Sequence, residues 1–115
     1  MDWDAPELAK NKANFVALSP ISFLERAATF FADRTAVIDR DRRFTYAEFY
    51  ARCRRLAHAL SKAGIGRGDT VAIQAANVTA MLEAHYAVPM LGAVLNPINI
   101  RLDPATIRFC LEHGE

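Results

Sequence analysis

The stretch SKAGIGRGDTVAI, residues 61–73, contains three glycines close together and leads into an apolar run. Glycines at such spacing let backbone amides approach a phosphate group in nucleotide-binding loops. Those loops follow a strand and open a helix, so that the positive end of the helix dipole faces the phosphate. Here the order is reversed, and the negative end of a preceding helix repels phosphate. The sequence therefore predicts a structural turn around Gly64, Gly66 and Gly68, with no phosphate site.

A second group that could do chemistry is a set of six arginines between residues 40 and 55. A nucleic-acid site needs such charges on one face, preferably beside aromatic side chains that stack on bases. Three of the arginines fall in or beside a predicted hairpin turn, and the three on the following helix are expected to face mostly outward. The net charge of +1 supplies no overall field that attracts nucleic acid or an anionic membrane. We interpret the arginines as solvated and predict no nucleic-acid partner.

The two cysteines, Cys53 and Cys110, are far apart and match no metal-ligand spacing. The first residues, MDWDAPELAK, have no apolar core and do not resemble a secretion signal. We therefore predict free thiols in a reducing cytoplasm. No stretch approaches the roughly 20 apolar residues that span a bilayer, so no membrane span is predicted.

Among the three histidines, only His85 has neighbours that could build a general base, namely Glu83 and Tyr86. No nucleophile is spaced to meet such a base. His58 is expected on a polar helix face, and His113 near a helix end. We therefore predict no catalytic, cofactor-binding or metal-binding residue in this chain.

Capping residues and apolar spacing predict four helices. Ser19-Pro20 begins the first, which should end at Asp33-Arg34 and have an apolar face formed by Phe23, Leu24, Ala27, Ala28 and Phe31. Thr45 and Glu48 form a capping box for the second, with a buried stripe of Phe49, Cys53, Leu56, Leu60 and Ala63. Asn77 can cap the third, which Pro89 should kink or end near residues 86–88. Asp103-Pro104 begins the fourth.

Four apolar runs predict strands. TAVID and RRFTY, joined by Arg40-Asp41, predict a β-hairpin. TVAIQA and AVLN flank the third helix and predict a βαβ unit with parallel strands. The fold class is α/β. Because parallel strands are normally covered on both faces and lie among further strands, we expect the rest of the sheet beyond Glu115.

Four segments in a characteristic order carry a resemblance to a known family: SPISFLERAATFFADRTAVI, FTYAEFYARCRRLAHAL, GIGRGDTVAIQAANVTAMLEAHYAVPMLGAVLNPINIRL and DPATIRFCLEHGE. They resemble the N-terminal portion of the AMP-forming acyl-CoA synthetases, which belong to the adenylate-forming superfamily. The resemblance extends from about residue 11 to residue 115. EAHYAVPMLGAVLNPINIRLDPATI is most similar to the short- and medium-chain branch.

This resemblance implies a fold and a reaction. Residues 19–115 would be the first, incomplete part of the large AMP-binding domain, and residues 1–18, whose periodicity is weak, are predicted to be an N-terminal arm. The parent enzyme would activate a carboxylic acid with ATP and Mg²⁺ through an acyl-adenylate, and transfer the acyl group to coenzyme A. The family's phosphate loop, adenine-binding segment, ribose-binding aspartate and lid lysine come later in the chain. The matched motifs are scaffold, so none of these cofactors is expected to bind this segment tightly.

Three hypotheses follow. The first is an N-terminal piece of an acyl-CoA synthetase that is inactive by itself and whose exposed sheet favours aggregation or a homo-oligomer. The second is a non-enzymatic interaction module that binds another subunit by completing its sheet. The third, a stand-alone dinucleotide-binding domain, conflicts with the order of helix, glycines and strand.

Overall fold

The computed structural model of the chain describes residues 5–114. Its elements are a single 3₁₀ turn (Pro6–Leu8), α1 (Pro20–Phe30), β1 (Thr35–Asp39), β2 (Arg42–Thr45), α2 (Tyr46–Lys62), β3 (Thr70–Gln74), α3 (Thr79–Met90), β4 (Val94–Ile98) and α4 (Pro104–His113). The prediction of an α/β fold with a hairpin, a βαβ unit and four helices is confirmed. The proposed boundary between arm and domain stays a prediction, and residues 1–4 and 115 of those two segments lie outside the described residues.

Helix α1 begins where its capping residues predict. The Ser19 hydroxyl accepts a hydrogen bond from the Ile21 amide at 3.3 Å, and Pro20 occupies the first turn. The helix ends at Phe30, earlier than predicted. The predicted apolar face was too wide, because Leu24 is buried while Phe23 and Phe31 are exposed. Only a narrow strip of α1 contacts the core.

Strands β1 and β2 form an antiparallel hairpin in which Val37 pairs with Phe44. The two-residue loop has Arg40 at φ 56°, because tight hairpin turns that match the strand twist need a left-handed residue. The capping box of α2 is confirmed: the Thr45 amide donates to Glu48 Oε2 at 2.8 Å, and the Glu48 amide donates to Thr45 Oγ1 at 3.2 Å.

The buried stripe of α2 differs from the predicted one. Phe49, Cys53 and Ala57 are buried at intervals of four residues. Leu56 and Leu60 are only half-buried, and Ala63 is exposed. The stripe therefore follows one row of the helix surface, because α1 and α3 pack against that row.

The glycine segment is the predicted turn. Gly64 has φ 94°, and the amides of Gly64 and Ile65 donate to the carbonyls of Ser61 at 3.0 Å and Leu60 at 3.1 Å. This pattern closes a helix C-terminus. The next amides are also used within the fold, since Gly66 donates to Asp69 Oδ2 at 2.7 Å and Gly68 to the Gly92 carbonyl at 3.1 Å.

Strands β3 and β4 are parallel and flank α3, as predicted, with Gln74 paired to Ile98 at their carboxyl ends. Two predictions for α3 were wrong, the Asn77 cap and an early end near residues 86–88, whereas the alternative of a kink stays a prediction. The N-cap residue of α3 is Val78 and not Asn77, and the helix passes through Pro89 to Met90. A proline this close to the end removes few helical hydrogen bonds, so the last turn survives, with Gly92 donating to the Pro89 carbonyl at 3.0 Å.

The core lies where α1, the hairpin, α2 and α3 meet. Leu24, Phe49 and Cys53 form its centre. Phe49 and Tyr86 pack edge to face, with ring centroids 5.6 Å apart, which joins α2 to α3. The βαβ unit is therefore attached to the rest of the chain mainly through α3.

Candidate functional site

The arginine cluster does not form one charged face. Arg54 and Arg55 are exposed on α2, as predicted. Arg52 is the exception among the helix arginines, which were predicted to face mostly outward. Its side chain is half-buried, pairs with the buried Glu83 of α3 and lies over the Phe44 ring, with 4.8 Å from guanidinium carbon to ring centroid. Burial against an acidic partner and an aromatic ring explains why this arginine turns inward.

The structure does not bring together the residues from which a general base could have been built. Glu83 is on the buried face of α3, whereas His85 is exposed and its Nδ1 lies 2.8 Å from the Met81 carbonyl oxygen. Neighbours in sequence on a helix point in different directions, which separates the two side chains. His58 is exposed on α2. His113 is exposed on α4 and stacks on Phe109, with ring centroids 5.1 Å apart.

Both cysteines are free thiols, as predicted. Burial, reinforced by the negative charge of Glu83, raises the pKa of Cys53 to about 12. The raised pKa and the burial of the sulfur both disfavour the thiolate, which is the form that attacks electrophiles. Within residues 5–114, no three His, Cys, Asp or Glu side chains are grouped as a metal site. No helix in that range is long and apolar enough to cross a membrane.

Two cavities adjoin the loop that follows β3, residues 75–78. The first has a volume of about 590 Å³ and lies between β1 and α3, with a mainly apolar lining that includes Val37, Ile38, Leu82 and Tyr86. The second, of about 480 Å³, lies at the carboxyl ends of β3 and β4. Its lining is more polar and includes Asn77, His85, Asn99 and Arg101. The carboxyl ends of parallel strands are where open α/β sheets bind ligands, so this edge is the candidate functional site.

This edge was not predicted from the sequence. The available signal was the pair of asparagines, Asn77 and Asn99, that follow the two parallel strands. Asp39 was not predicted either; its Oδ2 accepts hydrogen bonds from the Thr79 hydroxyl at 2.7 Å and the Thr79 amide at 3.1 Å. These bonds, together with a third from Arg42, lower the pKa of Asp39 to about 2.

Comparison with known proteins agrees with this architecture. The family model of AMP-binding enzymes matches residues 24–115, and the chain belongs to that family. An acetate–CoA ligase of Humulus lupulus is 54% identical over 111 residues, covering 96% of this chain and 20% of that protein. A peroxisomal acetate/butyrate–CoA ligase of Arabidopsis thaliana is 51% identical over 112 residues, covering 97% of this chain and 20% of the relative.

Solved structures contain the same fold. The O-succinylbenzoate coenzyme A synthetase of Bacillus subtilis, in complex with ATP and magnesium ion, superposes with a TM-score of 0.75 at 30% identity, covering 80% of this chain and 25% of that one. The N-terminal subdomain of NpsA from Klebsiella oxytoca gives a TM-score of 0.77 at 28% identity, covering 81% and 24%. Within the AMP-binding family, the chain corresponds to the N-terminal portion of the short- and medium-chain acyl-CoA ligase branch. It spans about a fifth of the length of the curated relatives it matches.

Proposed function

We propose that this chain is the first part of an AMP-forming acyl-CoA ligase that activates a carboxylic acid with ATP and transfers it to coenzyme A. The observation that carries the proposal is the 54% identity to an acetate–CoA ligase over 96% of the chain. The family match over residues 24–115 supports the same reaction class.

The specificity for the acid is determined outside this chain. Relatives whose names specify acetate, acetate/butyrate, trans-cinnamate and benzoate match at 54%, 51%, 50% and 46% identity. The identity is similar for relatives named for aliphatic acids and for relatives named for aromatic acids. This similarity indicates that these residues form a scaffold shared by enzymes of different acid specificity. We therefore propose that the acyl pocket is formed mainly by other parts of the protein.

The glycine turn does not fit the phosphates of ATP. The amides of Gly66 and Gly68 already donate to Asp69 and Gly92, so they do not form a free phosphate cradle. The role we assign to this chain is to build and support one wall of the enzyme, and the chain by itself is inactive.

A segment exchange tests whether this chain is a scaffold and the acyl pocket lies in other parts of the protein. Residues 5–114 replace the matching segment of the Humulus lupulus acetate–CoA ligase, and pyrophosphate release is measured with ATP, acetate and coenzyme A. We expect the exchanged enzyme to keep most of its activity and its preference for acetate over benzoate. A folded exchange protein that prefers another acid overturns the scaffold role.

The ligase proposal is tested separately with the full-length protein that contains this chain. We expect pyrophosphate release with at least one of acetate, butyrate, cinnamate and benzoate, and none from the 115 residues alone. No turnover with any of these acids contradicts the ligase, whereas turnover by the short chain contradicts its inactivity.

The second candidate is a non-enzymatic module that binds a partner subunit. It is favoured by the large apolar side chains that the chain exposes, among them Phe30 at 72% and Ile38 at 60%. A partner that binds the short chain but not the full-length enzyme would support the module. Binding of the short chain only to the remainder of the enzyme supports the scaffold.

We propose a cytoplasmic location, which suits two free thiols. The names of several relatives specify the peroxisome, which is the competing location. A fluorescent fusion at the N-terminus of the full-length protein distinguishes diffuse cytoplasmic signal from punctate peroxisomal signal.

A further inference from the structure

Helix α3 carries two polar side chains that are buried in the described part of the chain. They are Thr79, 3% exposed, and Glu83, 7% exposed. The two residues are four positions apart and therefore lie on one face of the helix, one turn above the other. Each is bound by a group from a different element, which is the arrangement of a two-point attachment.

The first attachment is made by Asp39 at the end of β1. Its Oδ2 accepts from the Thr79 amide at 3.1 Å, from the Thr79 hydroxyl at 2.7 Å and from Arg42 Nη2 at 3.0 Å. The N-cap residue of α3, Val78, makes no side-chain capping bond. Asp39 therefore caps α3 from outside, with its negative charge at the positive end of the helix dipole.

The second attachment is the ion pair between Arg52 of α2 and Glu83. Removing one partner of such a pair leaves the other charge buried without compensation. The Phe44 ring joins the two attachments, because the Arg52 guanidinium lies 4.8 Å and the Arg42 guanidinium 5.7 Å from its centroid. The hairpin and α2 thus contact one face of α3 through a continuous chain of polar and aromatic groups.

We propose that Asp39 and Arg52 are positioning residues that hold α3 at two points and thereby fix the β3–α3 loop, residues 75–78. The loop is only four residues long. One end is set by the pairing of Gln74 with Ile98, and the other by the attachment of Thr79. The loop lines both cavities, so Asp39 sets the shape of the edge where parallel-sheet proteins bind ligands.

Hydrogen exchange measured by mass spectrometry on the 115-residue chain tests Asp39. We expect Asp39→Asn to speed exchange in residues 75–82 by about twofold to fivefold, because asparagine keeps one acceptor oxygen but removes the negative charge at the helix N-terminus. Peptides covering α2 should keep their rates. Arg43→Ala, an exposed change on the same hairpin, is the matched control and should leave residues 75–82 unaffected.

Two variants at Thr79 test the hydroxyl bond to Asp39 without changing Asp39, so the proposal is tested even if Asp39→Asn does not fold. Thr79→Ser retains the hydroxyl and should exchange as the original chain does. Thr79→Val retains the shape without the hydroxyl and should speed exchange in residues 75–82. Equal rates in the two variants, or a rise spread evenly over the whole chain, overturn the positioning role of Asp39.

The Arg52 attachment is tested by Arg52→Ala, with the exposed Arg54→Ala on the same helix as its control. We expect local exchange to rise at residues 79–86 in Arg52→Ala and not in Arg54→Ala. The double variant Asp39→Asn/Arg52→Ala should differ from the product of the two single effects, because Phe44 joins the attachments. Independent effects, with no local rise in Arg52→Ala, contradict a two-point attachment.

Discussion

The reactivity of Cys53 is controlled by its surroundings. Cys53 lies on α2, and its side chain is fully buried in the core. Burial raises the pKa of the thiol to about 12, and the negative charge of Glu83 adds to the rise. Disulfide exchange and alkylation require the thiolate and an open path to the sulfur. Cys53 lacks both at neutral pH, whereas Cys110 is only half-buried.

We therefore expect a thiol reagent such as Ellman's reagent to modify Cys110 first at pH 7.5 and Cys53 only when the chain unfolds. The measurement counts modified thiols by mass spectrometry with and without 8 M urea, a concentration chosen to unfold the chain. Cys110→Ser is the control and should remove the fast phase. Rapid modification of Cys53 in the folded Cys110→Ser variant contradicts the buried position of this thiol.

The capping residues show what sequence can predict at this scale. Ser19, Thr45 and Asp103 each accept a hydrogen bond from an amide two or three positions ahead. Their capping roles can therefore be predicted from local sequence spacing. Asp39 binds an amide 40 positions away, across the fold. No local pattern contains that pairing, which is why Asn77 was wrongly predicted to cap α3.

At the scale of elements, the turn between α2 and β3 contains two left-handed glycines, Gly64 and Gly68, and the first of them closes the helix. Gly64 has φ 94°, and a Cβ there would meet no atom within 4 Å, so the constraint is conformational and not steric crowding. An L-residue in the left-handed region costs about 1–2 kcal/mol. Gly66, two positions later, has neither a positive φ nor a neighbour within 4 Å of a Cβ.

We expect Gly64→Ala to lower the free energy of unfolding by about 1–2 kcal/mol. Gly66→Ala, the matched control, should leave it unchanged or raise it by up to about 1 kcal/mol, because alanine restricts the unfolded chain. Urea denaturation followed by circular dichroism measures both. Equal destabilisation by the two substitutions would mean that Gly64 does not close the helix.

Element types were predictable because they follow local rules. The periods of 3.6 and 2, the capping box and the turn residues gave the hairpin, the helices and the βαβ unit. The buried row of α2 was not predictable in detail, because it depends on which neighbours pack against that helix. The same applies to Arg52, whose inward direction is decided by Glu83 on α3. The cavity at the carboxyl ends of β3 and β4 likewise forms only when the strands are paired.

At the scale of the whole molecule, the chain exposes more surface than its mass predicts. Its accessible surface is 8783 Å², whereas a compact monomer of 12.8 kDa exposes about 6,300 Å². Its radius of gyration is 17.8 Å, compared with about 13 Å for a compact domain of this length. The excess includes apolar side chains on β4 and α4, since Val94 is 56% and Phe109 61% exposed. An open two-stranded parallel sheet beside such side chains favours association between copies.

We therefore expect the isolated chain to self-associate, with a weight-average mass that rises above 12.8 kDa as concentration increases. Sedimentation velocity measures this mass directly. Val94→Lys and Phe109→Lys should each lower it at a given concentration, because a charge on an apolar contact surface disfavours association. His58→Lys, on the exposed face of α2, is the control and should have no effect. A monomeric mass at every concentration would show that the exposed apolar surface does not drive association, and equal effects of all three lysines would assign any change to net charge alone.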